Sequence, residues 1–166
     1  MAKRASLIIQ EGTLKSYFPG CKIIRYGEDE IVWEHNITPS PLSGSYTLKL
    51  HYIRNKGAKV YVLSPKPLPL APGKTRLPHV YSTPEQRLCL YYPVDNEWDV
   101  SMLYVQTLIP WACEWLIHYE LWVATGNWLG GGIEHENIAE KKLKEKQSGN
   151  DEILGEAKKK PKHDRR

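Results

Sequence analysis

Cys89 is the residue whose neighbours in the sequence most favour a role as a reactive nucleophile. It stands between two leucines, ten residues after His79 and nine before Trp98. The thiolate form of cysteine is the nucleophile, so a reacting cysteine must be reachable and its charged form must be favoured. His79, which follows Pro78, is either a residue that assists such a cysteine or a loop residue with no role. The alternative stays open that Cys89 is a small buried hydrophobe in a core strand.

The segment before Cys89 cannot form regular structure. Five of the fourteen residues from Pro65 to Pro78 are prolines, and each lacks the N–H that a central strand or helix needs. This composition predicts an extended surface segment that leads into the cysteine region and keeps Cys89 accessible.

The elements that must hold this segment are a helix, four strands and further helices. Hydrophobic spacing predicts a helix over 6–17 and strands over 21–26, 30–36, 46–53 and 59–63. Short links between the strands favour a four-stranded antiparallel meander. From Val100 to about Thr125 the apolar residues recur at helical spacing, and Pro110 is expected to kink or restart the helix. Strands and helices that are segregated in this way indicate an α+β domain.

Charge divides the chain into a body and a tail. Residues 139–166 hold ten Lys and Arg and six Asp and Glu, so the tail carries the whole net charge of +4. We therefore predict a domain over 1–138 and a charged, disordered tail over 139–166. The neutral body lacks the footprint of a nucleic-acid-binding domain.

The cysteines and the apolar segments indicate the cellular compartment in which the protein is expected. Cys21, Cys89 and Cys113 form no CxxC pair, which disfavours a disulfide framework and makes a reducing cytoplasm the simpler expectation. No signal peptide and no membrane-spanning run are expected. Cys21 and Cys113 are most simply structural.

Other residues that could bind ligands fall into no known pattern. The pairs His118 with Glu120 and Glu134 with His135 lack metal-site spacing, so neither a metal nor a cofactor is expected. The segment GGGIEH, which ends at His135, could bring backbone close to a partner, although a helix-terminating turn is the simpler interpretation.

Several of these residues resemble the central motif of the ubiquitin-conjugating enzymes. That motif runs His-Pro-Asn, a turn, Cys-Leu and then Trp; here Leu77-Pro78-His79, Leu88-Cys89-Leu90 and Asn96-Glu97-Trp98 stand in its place. The upstream helix and the strand SGSYTLKLHY also fit, so the resemblance covers about 6–119. The resemblance implies a conjugating-like (UBC) fold with Cys89 as the catalytic cysteine.

This chain also departs from the family pattern. His79 replaces the Asn that stabilises the oxyanion and lies ten rather than eight residues before the cysteine. The block from Pro110 to His135, PWACEWLIHYELWVATGNWLGGGIEH, resembles the divergent conjugating-like proteins of bacterial CBASS antiphage defence operons. Whether His79 or His135 assists Cys89 stays open.

The resemblance implies a specific reaction. Cys89 would accept the C-terminus of a protein, a cGAS-like nucleotidyltransferase, as a thioester and pass it to an amine. The sequence has no GxxxxGKS motif, so the carboxyl group is activated either by a separate enzyme or by a route that the sequence does not show. The alternative is a non-catalytic binding module that docks the nucleotidyltransferase. A thiol hydrolase ranks last, because His79 is the one nearby histidine.

Overall fold

The computed structural model describes residues 3–92 and 95–131. All of these residues belong to the first of two units into which the chain divides, Met1–Ile133. The predicted tail over 139–166 lies outside the described residues, as does His135, so the boundary at residue 138 stays a prediction.

Helix α1, Leu7–Tyr17, confirms the predicted N-terminal helix. Ser6 caps it, because its hydroxyl accepts a hydrogen bond from the Ile8 N–H at 3.2 Å. The Glu28 carboxylate adds a second cap, accepting from the Leu7 N–H and the Ser6 hydroxyl at 2.9 Å each. These bonds tie the start of α1 to the turn between the first two strands.

A six-stranded antiparallel sheet follows, in the order β1-β2-β3-β4-β6-β5. Its strands are β1 Lys22–Tyr26, β2 Glu30–Ile37, β3 Tyr46–Ile53, β4 Gly57–Ser64, β5 Val80–Ser82 and β6 Arg87–Leu88. The four predicted strands and their antiparallel meander are confirmed, since β1 to β4 pair in chain order; β6 and β5 extend the sheet beyond β4 and were not predicted. The missed strands, β5 and β6, have only three and two residues, too few to show an alternating pattern.

The proline-rich segment is irregular as predicted, but it is not only a surface segment. Leu68, Ala71 and Leu77 are buried in the hydrophobic core. Their side chains anchor a stretch that has no strand or helix of its own, because burial of apolar surface replaces the hydrogen-bond ladder as the stabilising contribution.

Helix α2, Leu108–Thr125, begins eight residues later than predicted. Pro110 lies in its first turn, where the missing N–H needs no partner, so the proline neither kinks nor restarts the helix. Residues before it form a short 3-10 turn, Tyr104–Gln106. The C-terminus is as predicted: Gly126 adopts a left-handed conformation (φ 75°) and its N–H donates to the Trp122 carbonyl at 2.7 Å.

The core lies between α2, α1 and one face of the sheet. The strands contribute alternating buried residues such as Trp33 and Leu50, and α2 contributes Trp115, Leu116 and Tyr119. The Tyr46 ring of β3 meets the Tyr119 ring edge to face at 6.3 Å. The aromatic residues Trp115, Tyr119 and Trp122 of α2 are therefore core residues, and Trp111 is partly buried against them.

Candidate functional site

The β5–β6 hairpin brings the two predicted site residues together. His79 directly precedes β5 and Cys89 directly follows β6, and the Cys89 N–H donates to the His79 carbonyl at 3.0 Å. The ten-residue spacing therefore corresponds to neighbouring positions at the open end of a hairpin. This hydrogen bond between them joins two backbone groups.

His79 is held by helix α2 and by the segment after it. Its carbonyl also accepts a hydrogen bond from the Trp115 Nε1 at 3.1 Å. Its imidazole stacks on Trp128, with ring centroids 5.0 Å apart and planes 29° apart. The backbone of His79 has φ 47°, the left-handed region that few residues other than Gly, Asn, Asp and His adopt.

The Cys89 thiol is half-buried and lies among aromatic residues. Its sulfur is 3.8 Å from the Tyr91 carbonyl, and the Tyr81 hydroxyl is hydrogen-bonded to it. Burial raises the pKa of the Cys89 thiol and the Glu97 carboxylate adds to the rise, whereas the Tyr81 hydrogen bond and the Arg87 charge lower this pKa. Burial prevails, so the thiol is mainly protonated at neutral pH.

Tyr81 and Arg87 are site residues that the sequence analysis missed. The Arg87 guanidinium lies over the Tyr81 ring, 4.5 Å from its centroid. A signal was available: Thr83-Pro84-Glu85 is typical of a turn, and a turn there folds the residues before it back onto those after it. Such a hairpin places position 81 near positions 87 and 89.

Gln86 fixes this hairpin to the rest of the molecule. Its side chain is 1% exposed, and its amide N–H₂ donates to the carbonyls of Val62 and Pro65 at 2.8 and 2.9 Å. Its side-chain oxygen accepts from the Leu68 N–H. The side-chain amide of Gln86 thus joins β4 to the proline-rich segment. Because Gln86 directly precedes β6, these bonds fix the position of β6 and of Cys89 after it.

A cleft of about 370 Å³ lies beside the hairpin. Cys89 does not line it, but both chain neighbours of Cys89, Leu88 and Leu90, do. Tyr81, whose hydroxyl is hydrogen-bonded to the Cys89 sulfur, lines it as well. Trp98, the tryptophan of the predicted motif, packs on Tyr91 with ring centroids 5.4 Å apart and so supports one wall.

A profile of the protein family described as Type II CBASS E2 protein matches residues 10–136, which is more than half of the chain. The chain belongs to this family. The match includes Cys89, His79 and the whole of the hairpin that carries them. No curated protein matches the chain.

Membership of the CBASS E2 family confirms the resemblance on which the sequence analysis relied. An E2-like role in CBASS antiphage defence follows from it, and a conjugating-type transferase is the coarse class of activity. The fold is α+β, with an antiparallel sheet and two α-helices in the described residues.

The glycine-rich segment of this CBASS E2 protein begins at Gly130, which lies next to the aromatic residues that pack on His79. A β-carbon on Gly130 would lie 2.9 Å from two atoms of the Trp128 indole and 3.0 Å from the His118 ring. Trp128 in turn packs on His79 and on Trp115, so Gly130 permits the aromatic packing behind His79. The rest of GGGIEH, from Gly132 to His135, lies outside the described residues.

The remaining candidates have structural contacts. The Glu120 carboxylate accepts from the Gly44 N–H and the Tyr46 hydroxyl at 2.8 Å each, and His118 lies 3.8 Å from Glu114. Glu134 and His135 lie outside the described residues. Over 3–92 and 95–131, no three His, Cys, Asp or Glu residues are grouped to hold a metal ion.

Cys21 and Cys113 pack against the core as partly buried side chains, and all three cysteines are free thiols. Burial raises the pKa of Cys113. None of the helices in the described part of the chain is long and apolar enough to cross a membrane.

Proposed function

We propose that this CBASS E2 protein carries an acyl group on Cys89 and transfers it to an amine. The carried group is the C-terminus of a protein, by family resemblance a cGAS-like nucleotidyltransferase. The observation that carries the proposal is the position of Cys89: a half-buried, free thiol beside His79 within the matched family region. A conjugating-like fold in a reducing cytoplasm is the setting that suits this chemistry.

The chemistry needs two acyl transfers. In the first, the Cys89 thiolate attacks an activated carboxyl carbon, the C–S bond forms and the activating group leaves. In the second, an amine attacks the thioester carbon, the C–N bond forms and the thiolate leaves. Both pass through an oxyanion, for which a nearby hydrogen-bond donor is required.

Two side chains are suited to donate that hydrogen bond. The Tyr81 hydroxyl already contacts the Cys89 sulfur, and burial raises the pKa of Tyr81, so its proton is retained at neutral pH. His79 occupies the position that matches the family Asn, and its backbone is held against Cys89. The absence of a GxxxxGKS motif favours a separate enzyme as the source of the activated carboxyl group.

A second candidate function is a non-catalytic docking module. The raised pKa of Cys89 favours it, because a protonated, half-buried thiol is a weak nucleophile. The presence of the cysteine in the family motif argues for the transferase instead.

Intact-protein mass spectrometry separates these functions. The chain is co-expressed with the neighbouring operon proteins, as wild type, Cys89→Ser and Cys89→Ala. A thioester predicts a mass increase that thiols remove from the wild type, an oxygen ester that resists thiols in Cys89→Ser, and no increase in Cys89→Ala. Cys21→Ser and Cys113→Ser are the matched controls and should behave as wild type. An adduct that survives Cys89→Ala would exclude Cys89 as the carrier, and a bound but unmodified partner would indicate the docking module.

A further inference from the structure

The cleft beside Cys89 is strongly cationic. Three of the ten residues that line it are Lys56, Lys59 and Arg87, and none of the ten is acidic. Its other walls are apolar or aromatic, including Val60, Leu90 and Tyr91. A concave surface of this kind suits an aliphatic chain that carries an anionic group.

The Arg87 charge is fixed close to the sulfur. Its guanidinium is held over the Tyr81 ring, and the Tyr81 hydroxyl is hydrogen-bonded to Cys89. The Arg87 Nε is buried, and across 3–92 and 95–131 it has no hydrogen-bond partner. A buried polar atom of a charged group that is left unsatisfied is costly, and a bound acceptor would relieve that cost.

The three cations of the cleft are not neutralised by the described residues. No described carboxylate forms a salt bridge with Lys56, Lys59 or Arg87, although other cations near the sheet are paired, such as Arg25 with Glu11 at 2.6 Å. Glu97, the acidic group that acts on Cys89, does not line the cleft, and its carboxylate accepts from the Tyr92 N–H.

We propose that this cleft is an anion-binding subsite that receives the last residues of the carried chain and holds a carboxylate on Arg87, Lys56 and Lys59. This rests on the proposed function, because it assumes an acyl donor at Cys89. That carboxylate is an acidic side chain next to the reacting carboxyl group, since the terminal carboxyl group itself becomes the uncharged acyl group on Cys89.

Two alkylating agents of nearly equal size test the subsite without any partner protein. In a Cys21→Ala/Cys113→Ala background, Cys89 is alkylated with anionic iodoacetate and with neutral iodoacetamide. The ratio of the two rate constants cancels the fraction of thiolate, since the same thiolate attacks both. We expect the ratio to exceed that of the urea-unfolded chain by about threefold to tenfold at low salt and to fall as salt is added.

The variants assign this preference to the cleft. Arg87→Gln and Lys56→Gln/Lys59→Gln should lower the ratio towards the unfolded value, whereas Arg87→Lys should keep most of it. Lys22→Gln/Lys49→Gln removes the same charge from sheet residues that do not line the cleft and should leave the ratio unchanged. A ratio equal to that of the unfolded chain, or one that the cleft variants do not move, would overturn the proposal.

Peptide thioesters test whether the cleft binds an acidic side chain of the acyl donor. Acetyl-Leu-Glu-Gly and acetyl-Leu-Gln-Gly thioesters are compared as acyl donors to Cys89. Faster transfer from the Glu peptide, lost in Arg87→Gln, supports the proposal; equal transfer from the two peptides would overturn the cleft as a subsite for the carried chain. If Cys89 carries no adduct in cells while the iodoacetate preference stands, the proposed function fails and the anion site does not.

Discussion

His79 and Cys89 are joined by a backbone hydrogen bond of 3.0 Å, from the Cys89 N–H to the His79 carbonyl. The same carbonyl accepts from the Trp115 indole, so helix α2, the hairpin and the cysteine meet at one oxygen atom. Because these bonds use the backbone of His79, its side chain can be exchanged without removing them. The position of Cys89 and the chemistry of the His79 imidazole are therefore separable by mutation.

The backbone of His79 predicts which substitutions the protein tolerates. At φ 47°, Asn is favoured over β-branched residues, for which the left-handed region costs about 1–2 kcal/mol. We expect His79→Val to lower the free energy of unfolding by about that amount relative to His79→Asn, measured by urea denaturation. Both variants lose the imidazole stacking on Trp128, so the comparison isolates the backbone.

His35 provides the control for this comparison, because it lies within strand β2. His35→Val should be at least as stable as His35→Asn, since β-branched residues suit strands. A His79→Val variant as stable as His79→Asn would contradict the left-handed conformation. If the imidazole donates to the oxyanion, transfer from Cys89 should be retained by His79→Asn and reduced in His79→Ala.

The hydrogen bond from Tyr81 predicts how the alkylation rate of Cys89 depends on pH. Its hydrogen bond lowers the pKa of the thiol, so Tyr81→Phe should raise that pKa and shift the alkylation midpoint to higher pH. At neutral pH the variant should therefore be alkylated more slowly. The measurement is the rate of iodoacetamide labelling of Cys89 across pH. Tyr26→Phe removes an exposed hydroxyl on β1 and should not shift the midpoint; an unshifted midpoint in Tyr81→Phe would mean that the hydroxyl does not act on the sulfur.

The elements with long, regular patterns could be predicted from the sequence. Strand β3 alternates buried and half-buried residues over its whole length, and its bounds, Tyr46–Ile53, were predicted to the residue. The C-terminus of α2 followed from Gly126. The start of α2 was predicted too early, because the apolar residues of the 3-10 turn continue the helical spacing before Pro110.

The chemistry around Cys89 could be predicted only in part. Cys89 and His79 came from a resemblance to a motif, but the neighbours of the sulfur depend on the hairpin. The register of β5 and β6 shifts between Val80 and Ser82, which gives Tyr81 its position. An irregularity of this kind depends on tertiary contacts such as those of Gln86, and local sequence does not encode it.

The buried hydrogen bonds of the Gln86 side chain predict a large loss of stability on substitution. Gln86→Leu keeps the approximate size but removes the buried partner of the Leu68 N–H and of the Val62 carbonyl, and also a partly buried hydrogen bond to the Pro65 carbonyl. We expect a loss of about 2–4 kcal/mol in the free energy of unfolding, measured in urea. Gln106→Leu changes an exposed glutamine in the 3-10 turn and should cost less than about 0.5 kcal/mol. Equal losses in the two variants would show that the Gln86 amide does not hold the hairpin.

Gly130 and Gly131 form a matched pair behind His79. A methyl group on Gly130 would meet the rigid indole of Trp128 at 2.9 Å, whereas a methyl group on Gly131 meets nothing within 4 Å. Gly130→Ala should therefore displace Trp128 and lower the free energy of unfolding by about 1–3 kcal/mol, and Gly131→Ala should leave both unchanged. Urea unfolding and acrylamide quenching of tryptophan fluorescence are the measurements.

Because Trp128 stacks on His79, the imidazole resonances of His79 should also shift in Gly130→Ala. If the two variants behaved alike, Gly130 would not support the packing at His79.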